Sequence, residues 1–243
     1  MRHLKCRIIG LAVVGLVLGM GPAASQAPTH VFHAASSGQE TLDQGEGGGN
    51  PFASSLIEIL ARPAVDLTDL PSALSQLTHR KSRGLQTADV AAIPPGSHWP
   101  LAPMTPGETR VALVLIVSDY TASGGAQSLP GAAHDANRIA EAFSAAGFET
   151  ELALDLDLPT MRARLADFAR RSAKHESAAI YTTGHGVEHG KQVYLIPGDF
   201  PVKDGNAALA EKALRLAEIS QAPRARKANL VFYGGCRNSP FGE

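Results

Sequence analysis

The chain has 243 residues, 44% of them hydrophobic, and a net charge of −1. Its mean hydropathy is −0.04. These values fit one globular domain plus additional segments, exclude a polytopic membrane protein, and give no electrostatic reason to expect nucleic acid as a partner.

The first residues read as a targeting segment. Arg2, Lys5 and Arg7 precede an apolar run from Ile8 to Met20, and residues 21–27 supply small residues for cleavage. Ser25-Gln26-Ala27 has the small-x-small form and places the cut after Ala27, with Ala24 or Ser25 as alternatives. The apolar run is shorter than the ~20 residues that span a bilayer. The expectation is therefore export, to the periplasm or the medium, with no membrane span after signal removal. Cys6 leaves with residues 1–27, so Cys236 becomes the single thiol of the mature chain. An exported protein with one unpaired cysteine has no structural disulfide, and its thiol is a candidate for reactivity.

Residues 28–107 show little periodicity. Ser36-Ser-Gly-Gln-Glu and Gly45-Glu-Gly-Gly-Gly-Asn have linker composition, and Pro100 to Gly107 resembles a stiff proline-rich spacer. The expectation is a low-complexity pro-region or linker carrying two short helices. One runs from Ser54 to Ala61. The other runs from Asp69 to Leu77, with Asp69 as its cap and Pro71 in its first turn.

Order is expected from residue 108 to 243. Val111 to Val117 is an unbroken apolar run, as in a strand covered on both faces. A glycine- and serine-rich loop follows, with no Gly-Lys-Ser/Thr to make it a phosphate-binding loop. Ala133 to Ala146 has helical periodicity and Gly147 stops it. Phe148 to Leu154 reads as a strand, and Pro159 opens a helix with Met161, Leu165 and Phe168 on its apolar stripe. Ala178 to Thr182 reads as a strand, Val193 to Ile196 as a short extra strand, Ala207 to Ala217 as a helix and Asn229 to Tyr233 as a last strand. This alternation predicts an α/β fold with a mostly parallel central sheet flanked by helices.

Two motifs stand just past strand ends. Thr183-Gly-His-Gly presents His185, and Gly234-Gly-Cys presents Cys236. In open α/β sheets ligands bind beyond the carboxyl ends of the strands. If the two strands are neighbours, an imidazole and a thiol share one rim, where His185 serves as general base and Cys236 as nucleophile. The backbone N–H groups of Gly186 and Cys236 are the candidate oxyanion hole. His185 and His189 are four apart, but the surrounding glycines argue for a loop and no further ligand cluster is evident, so no metal site is assigned. A Gly-x-Ser-x-Gly elbow is absent.

Five stretches together resemble the caspase-like cysteine peptidases, most closely the bacterial metacaspase-type, orthocaspase-like branch. They are Arg110 to Val117, Leu129 to Ala136, Tyr181 to Gly186, Tyr194 to Asp199 and Gly234 to Phe241. The resemblance implies a three-layer α/β/α fold, a His185–Cys236 dyad, a polypeptide substrate and an acidic pocket that selects arginine or lysine before the scissile bond. Asp135 matches one acid of that pocket. A cofactor is not implied, although some relatives need calcium. Two departures stand out. The family has Asp-x-Cys where this chain has Gly234, which weakens the expected preference for a basic residue. The family also continues past the cysteine with strands that complete the pocket, whereas this sequence stops at Glu243, so the domain reads either as truncated or as one whose sheet edge a partner or dimer completes. The competing readings are a caspase-like interaction domain without activity and, from the sheet pattern alone, a nucleotide- or phosphate-binding α/β domain.

Overall fold

A computed structural model describes residues 26–45, 47–94 and 96–241. Residues 1–25 of the expected targeting segment lie outside the described residues.

The elements in chain order are β1 (Thr29–His33), α1 (Pro51–Leu60), β2 (Val65–Asp66), α2 (Leu70–Lys81), β3 (Asp89–Val90), β4 (Pro100–Ala102), β5 (Arg110–Ile116), α3 (Pro130–Ala145), β6 (Glu149–Leu154) and α4 (Leu158–Ser172). They continue with β7 (Ser177–Thr183), β8 (Gly186–His189), β9 (Gln192–Leu195), α5 (Leu209–Lys212), β10 (Leu214–Arg215), α6 (Leu216–Ser220) and β11 (Ala228–Tyr233). The central sheet has six strands in the order β3-β1-β11-β7-β5-β6, and all neighbours are parallel except the short β3–β1 pair. Every residue of β5, β7 and β11 is buried, as continuous apolar runs in a doubly covered parallel sheet require.

Period-two alternation divides those strands between two cores. Ala112, Val114, Ile116, Tyr181 and Phe232 face one side, against Leu56 and Ile59 of α1, Leu74 of α2 and Ile139 and Phe143 of α3. Leu113, Leu115, Ile180, Val231 and Tyr233 face the other, against Met161, Leu165 and Phe168 of α4 and Ile219 of α6. The three-layer α/β/α arrangement expected from the sequence is present.

The largest correction concerns residues 28–107. This stretch is built into the same fold. β1 pairs along its whole length in parallel with β11, from Thr29 opposite Asn229 to His33 opposite Tyr233. Phe32 stacks on Phe232 with ring centroids 5.1 Å apart. α1 starts on a conventional cap, Asn50 Oδ1 accepting from the Phe52 N–H at 2.8 Å with Pro51 in the first turn. The proline-rich stretch docks beneath the sheet, where the buried Arg110 guanidinium donates to the Leu101 and Pro100 carbonyls at 2.7 and 2.8 Å and pairs with Glu108 at 2.9 Å. Phe52, Leu56, Ile59, Leu70, Leu74 and Trp99 of this stretch pack in the core under strands that already need a cover, and their burial outweighs the linker-like composition between them.

The sequence reading leaves the sheet edge beside the cysteine strand to a partner or dimer. β1 of the same chain occupies the edge beside the cysteine strand.

Three smaller expectations differ. Asp69 makes no capping bond to α2; Asp66 instead caps a preceding 3-10 turn through the Thr68 N–H. The helix over 207–217 is broken at Ala213, which is extended because Leu214 and Arg215 pair with Leu195 and Tyr194 of β9. The stretch after His185 is a β8–β9 hairpin, not a loop.

Candidate active site

β7 and β11 are hydrogen-bonded neighbours, so the turns that follow them meet. The contact is close. A Cβ placed on Gly186 would collide with the Cys236 carbonyl and lie 2.9 Å from the Cys236 nitrogen, so only glycine lets the histidine turn lie this near the cysteine turn. His185, Gly186 and Cys236, chosen from the sequence, all line one cavity of about 350 Å³.

His185 is held from three directions. Its N–H donates to Tyr120 Oη at 2.7 Å, and that hydroxyl donates to the Ile196 carbonyl at 2.9 Å. The Tyr120 and His185 rings meet edge to face, 4.4 Å apart. Nε2 lies 2.7 Å from the Gln127 carbonyl oxygen. A carbonyl only accepts, so this contact assigns the Nε2–H tautomer and leaves the lone pair on Nδ1.

Cys236 sits past β11 in a turn fastened by the Gly234 N–H to the Thr182 carbonyl at 2.7 Å. Its thiol is half-buried and free. The Thr41 N–H points at Sγ at 3.3 Å, and Thr41 Oγ1 lies 3.4 Å from it. Arg237 ties three segments together. Its Nε donates to Glu188 on β8 at 2.9 Å, and its Nη1 to Asp89 on β3 at 2.6 Å. Its backbone pairs with residues 38 and 39, through Gly38 N–H to the Arg237 carbonyl at 2.8 Å and Arg237 N–H to the Gln39 carbonyl at 2.9 Å. The cysteine turn, the histidine hairpin and the segment after β1 form one unit.

Asp135 lies in the first turns of α3, fully buried. It accepts from the Asn50 N–H at 2.7 Å and pairs with Arg138 at 2.8 Å. Burial pushes its carboxyl up to about 6, against the opposing effects of the Asn50 amide and Arg138. A second acid, Asp43, holds the same helix start by accepting from the Gly131 and Ala132 N–H groups at 2.8 and 3.0 Å. Both carboxylates act on the hydroxyl of Tyr181, which burial pushes upward. A Cβ on Gly234 would stand 3.0 Å from that hydroxyl. Tyr181 thus lies between the field of these two acids and Gly234, two residues before Cys236. The same Cβ would be 2.8 Å from Thr183 Oγ1, so Thr183 and Tyr181 fill the space a carboxylate at 234 would need.

Thr41, Asp43, Tyr120 and Gln127 were not legible as site residues. The first two lie in a segment of linker composition, and Gln127 acts through its backbone carbonyl, which no side-chain pattern reports. The cap and helix signal at Asn50-Pro51 was the available hint that order begins before residue 108.

Among the described residues, no group of three or more His, Cys, Asp or Glu side chains is arranged to hold a metal ion. No described helix is long and apolar enough to cross a membrane.

A family model described as the caspase domain matches residues 109–240, more than half of the chain. A search of curated proteins finds no match.

Proposed function

Because the chain belongs to the caspase-domain family, whose members are cysteine peptidases at family level, we propose that it is an exported endopeptidase of the metacaspase-type branch that uses His185 and Cys236 to cut after basic residues. The observation that carries the reading is the shared cavity of His185 and Cys236 at the carboxyl ends of adjacent parallel strands, with Nε2 engaged by the Gln127 carbonyl.

The chemistry follows from that arrangement. His185 takes the thiol proton at Nδ1 as the Cys236 sulfur attacks the scissile carbonyl. The tetrahedral oxyanion is held by the Gly186 and Cys236 N–H groups. The C–N bond breaks as His185 returns the proton to the departing amine, leaving an acyl thioester. Water then attacks the thioester, again deprotonated by His185, and the sulfur departs with the proton. Asp43 and Asp135 supply the negative charge for a lysine or arginine before the scissile bond. Arg138 already engages one of them, so the preference is weaker than for an unpaired acid pair.

Export rests on the basic and apolar pattern of residues 2–20. Among the three cleavage positions, those after Ala24 and Ser25 fit best. The Ala27 carbonyl accepts from Asn229 Nδ2 at 2.9 Å and its N–H donates to Ala225 at 3.2 Å, and an earlier cut keeps this anchor within the chain.

The test is hydrolysis of fluorogenic peptides ending in Arg or Lys. Cys236→Ala and His185→Ala are each expected to lower turnover at least about a thousandfold. Turnover that survives Cys236→Ala refutes the reading.

A further inference from the structure

The cavity that His185 and Cys236 line is walled mostly by apolar side chains. Its walls are Ala126, Val187, Ile196, Val202, Pro240 and Phe241. Val187 and Ile196 are rooted in the core on the α4 and α6 side of the sheet, and Phe241 stacks on the buried Phe200 with centroids 6.1 Å apart. The carboxylate at the rim, Glu40, accepts from Asn238 Nδ2 at 2.9 Å. The pocket therefore offers apolar walls and a rim acid that is already engaged, a lining suited to an apolar side chain.

Its position selects which side chain. Tyr181, against which Asp43 and Asp135 act, belongs to the core on the α1 to α3 side of the sheet. The apolar pocket belongs to the opposite side, and Cys236 stands at the sheet's carboxyl edge between them. A peptide laid across the thiol places the two residues flanking its scissile bond on opposite sides of that edge. His185 must hand its proton to the departing amine, and His185 lines the apolar pocket.

We propose that this pocket is the subsite for the first residue on the leaving-amine side of the scissile bond, and that it selects a large apolar side chain such as leucine or phenylalanine. The proposal rests on the peptidase reading above. It makes the preferred cleavage point a basic residue followed by an apolar one.

The experiment uses internally quenched peptides that are identical, with arginine before the bond, except for Leu, Phe, Gly, Asp or Lys after it. Leu and Phe peptides are expected to have kcat/KM at least about tenfold above Asp and Gly, the usual scale for a hydrophobic pocket. Val202→Glu is expected to shift the ranking toward Lys, and Val202→Lys toward Asp. Opposite shifts from two charges at one position cannot come from a general loss of folding. The same peptides are also titrated by fluorescence anisotropy against Cys236→Ala, which reads the pocket without turnover. Cleavage with a flat ranking, or a ranking that neither Val202 variant moves, overturns the pocket and leaves the peptidase. An apolar ranking in binding to Cys236→Ala, with no cleavage by the natural chain, overturns the peptidase and keeps the pocket. A flat ranking in binding together with no cleavage overturns both.

Discussion

Phe32→Ala tests whether the segment before residue 108 belongs to the same fold as the caspase domain at 109–240. Phe32 is 1% exposed, lies opposite Phe232 in the β1–β11 ladder and stacks on its ring at 14°. Removing a buried phenylalanine costs about 3–5 kcal/mol through lost transfer energy and the cavity left behind. That is a large share of the roughly 5–15 kcal/mol that holds a domain together, yet it leaves the chain folded at moderate temperature. For a domain of this size each kcal/mol lowers Tm by roughly 2–4 °C, so the expected drop is about 6–20 °C. Thermal melts followed by circular dichroism measure it, with urea titrations to check that m is unchanged. Leu85→Ala is the control, since Leu85 lies in the same half of the chain but is 75% exposed and its truncation is expected to cost under about 0.5 kcal/mol. If the two variants melt together, β1 does not pack on β11, and the reasoning that places residues 26–107 in the fold fails.

Three further outcomes are expected. The folded chain binds the Asp135 proton more tightly than the unfolded chain does, so this group's contribution to stability falls as pH rises from about 4 to about 6, by up to about 3 kcal/mol. Asp135→Asn removes that fall, and its stability relative to the natural chain therefore improves between pH 4 and pH 7; identical pH profiles of Tm would contradict the assignment. Arg237→Ala breaks the 12%-exposed guanidinium's pairs with Glu188 and Asp89 and is expected to cost about 2–4 kcal/mol, while Arg237→Lys recovers only part because the two-point fork is lost; urea midpoints measure both. Gly234→Asp forces a side chain against Thr183 and Tyr181, with an expected loss of about 1–3 kcal/mol from overpacking and no gain in cleavage after arginine, a result that Tm and turnover together check.

What the sequence made legible was local or periodic. The apolar runs at 111–117 and 229–233 announced the core strands because both their faces are covered. The glycines around His185 and Cys236 announced turns at strand ends, and the β7–β11 pairing then did the rest. β1 was hidden because five residues, Thr-His-Val-Phe-His, carry too little pattern to be a strand by themselves. They become one only through a partner two hundred positions away. The break in the 207–217 helix was hidden for the same reason, since helical propensity there yields to the pairing of Leu214 and Arg215 with β9. Asp43 and Thr41 acquire their roles only once β1 has brought their segment to the cysteine turn.

That long-range pairing has a kinetic consequence. Val31 must find Val231, and during synthesis β1 emerges long before β11 exists. Its other neighbour, β3, pairs with it over only two residues. Contacts of such high sequence separation form late and slowly, because loop closure must precede any gain from them. The nascent chain therefore carries β1 as an open edge until β11 docks between it and β7, an interval in which strand edges invite association with other chains. Thr41 reaches the thiol, and residues 38 and 39 reach Arg237, only at that docking step. The surroundings of the Cys236 thiol are completed as one of the last events of folding, so a partly made chain carries no finished candidate site.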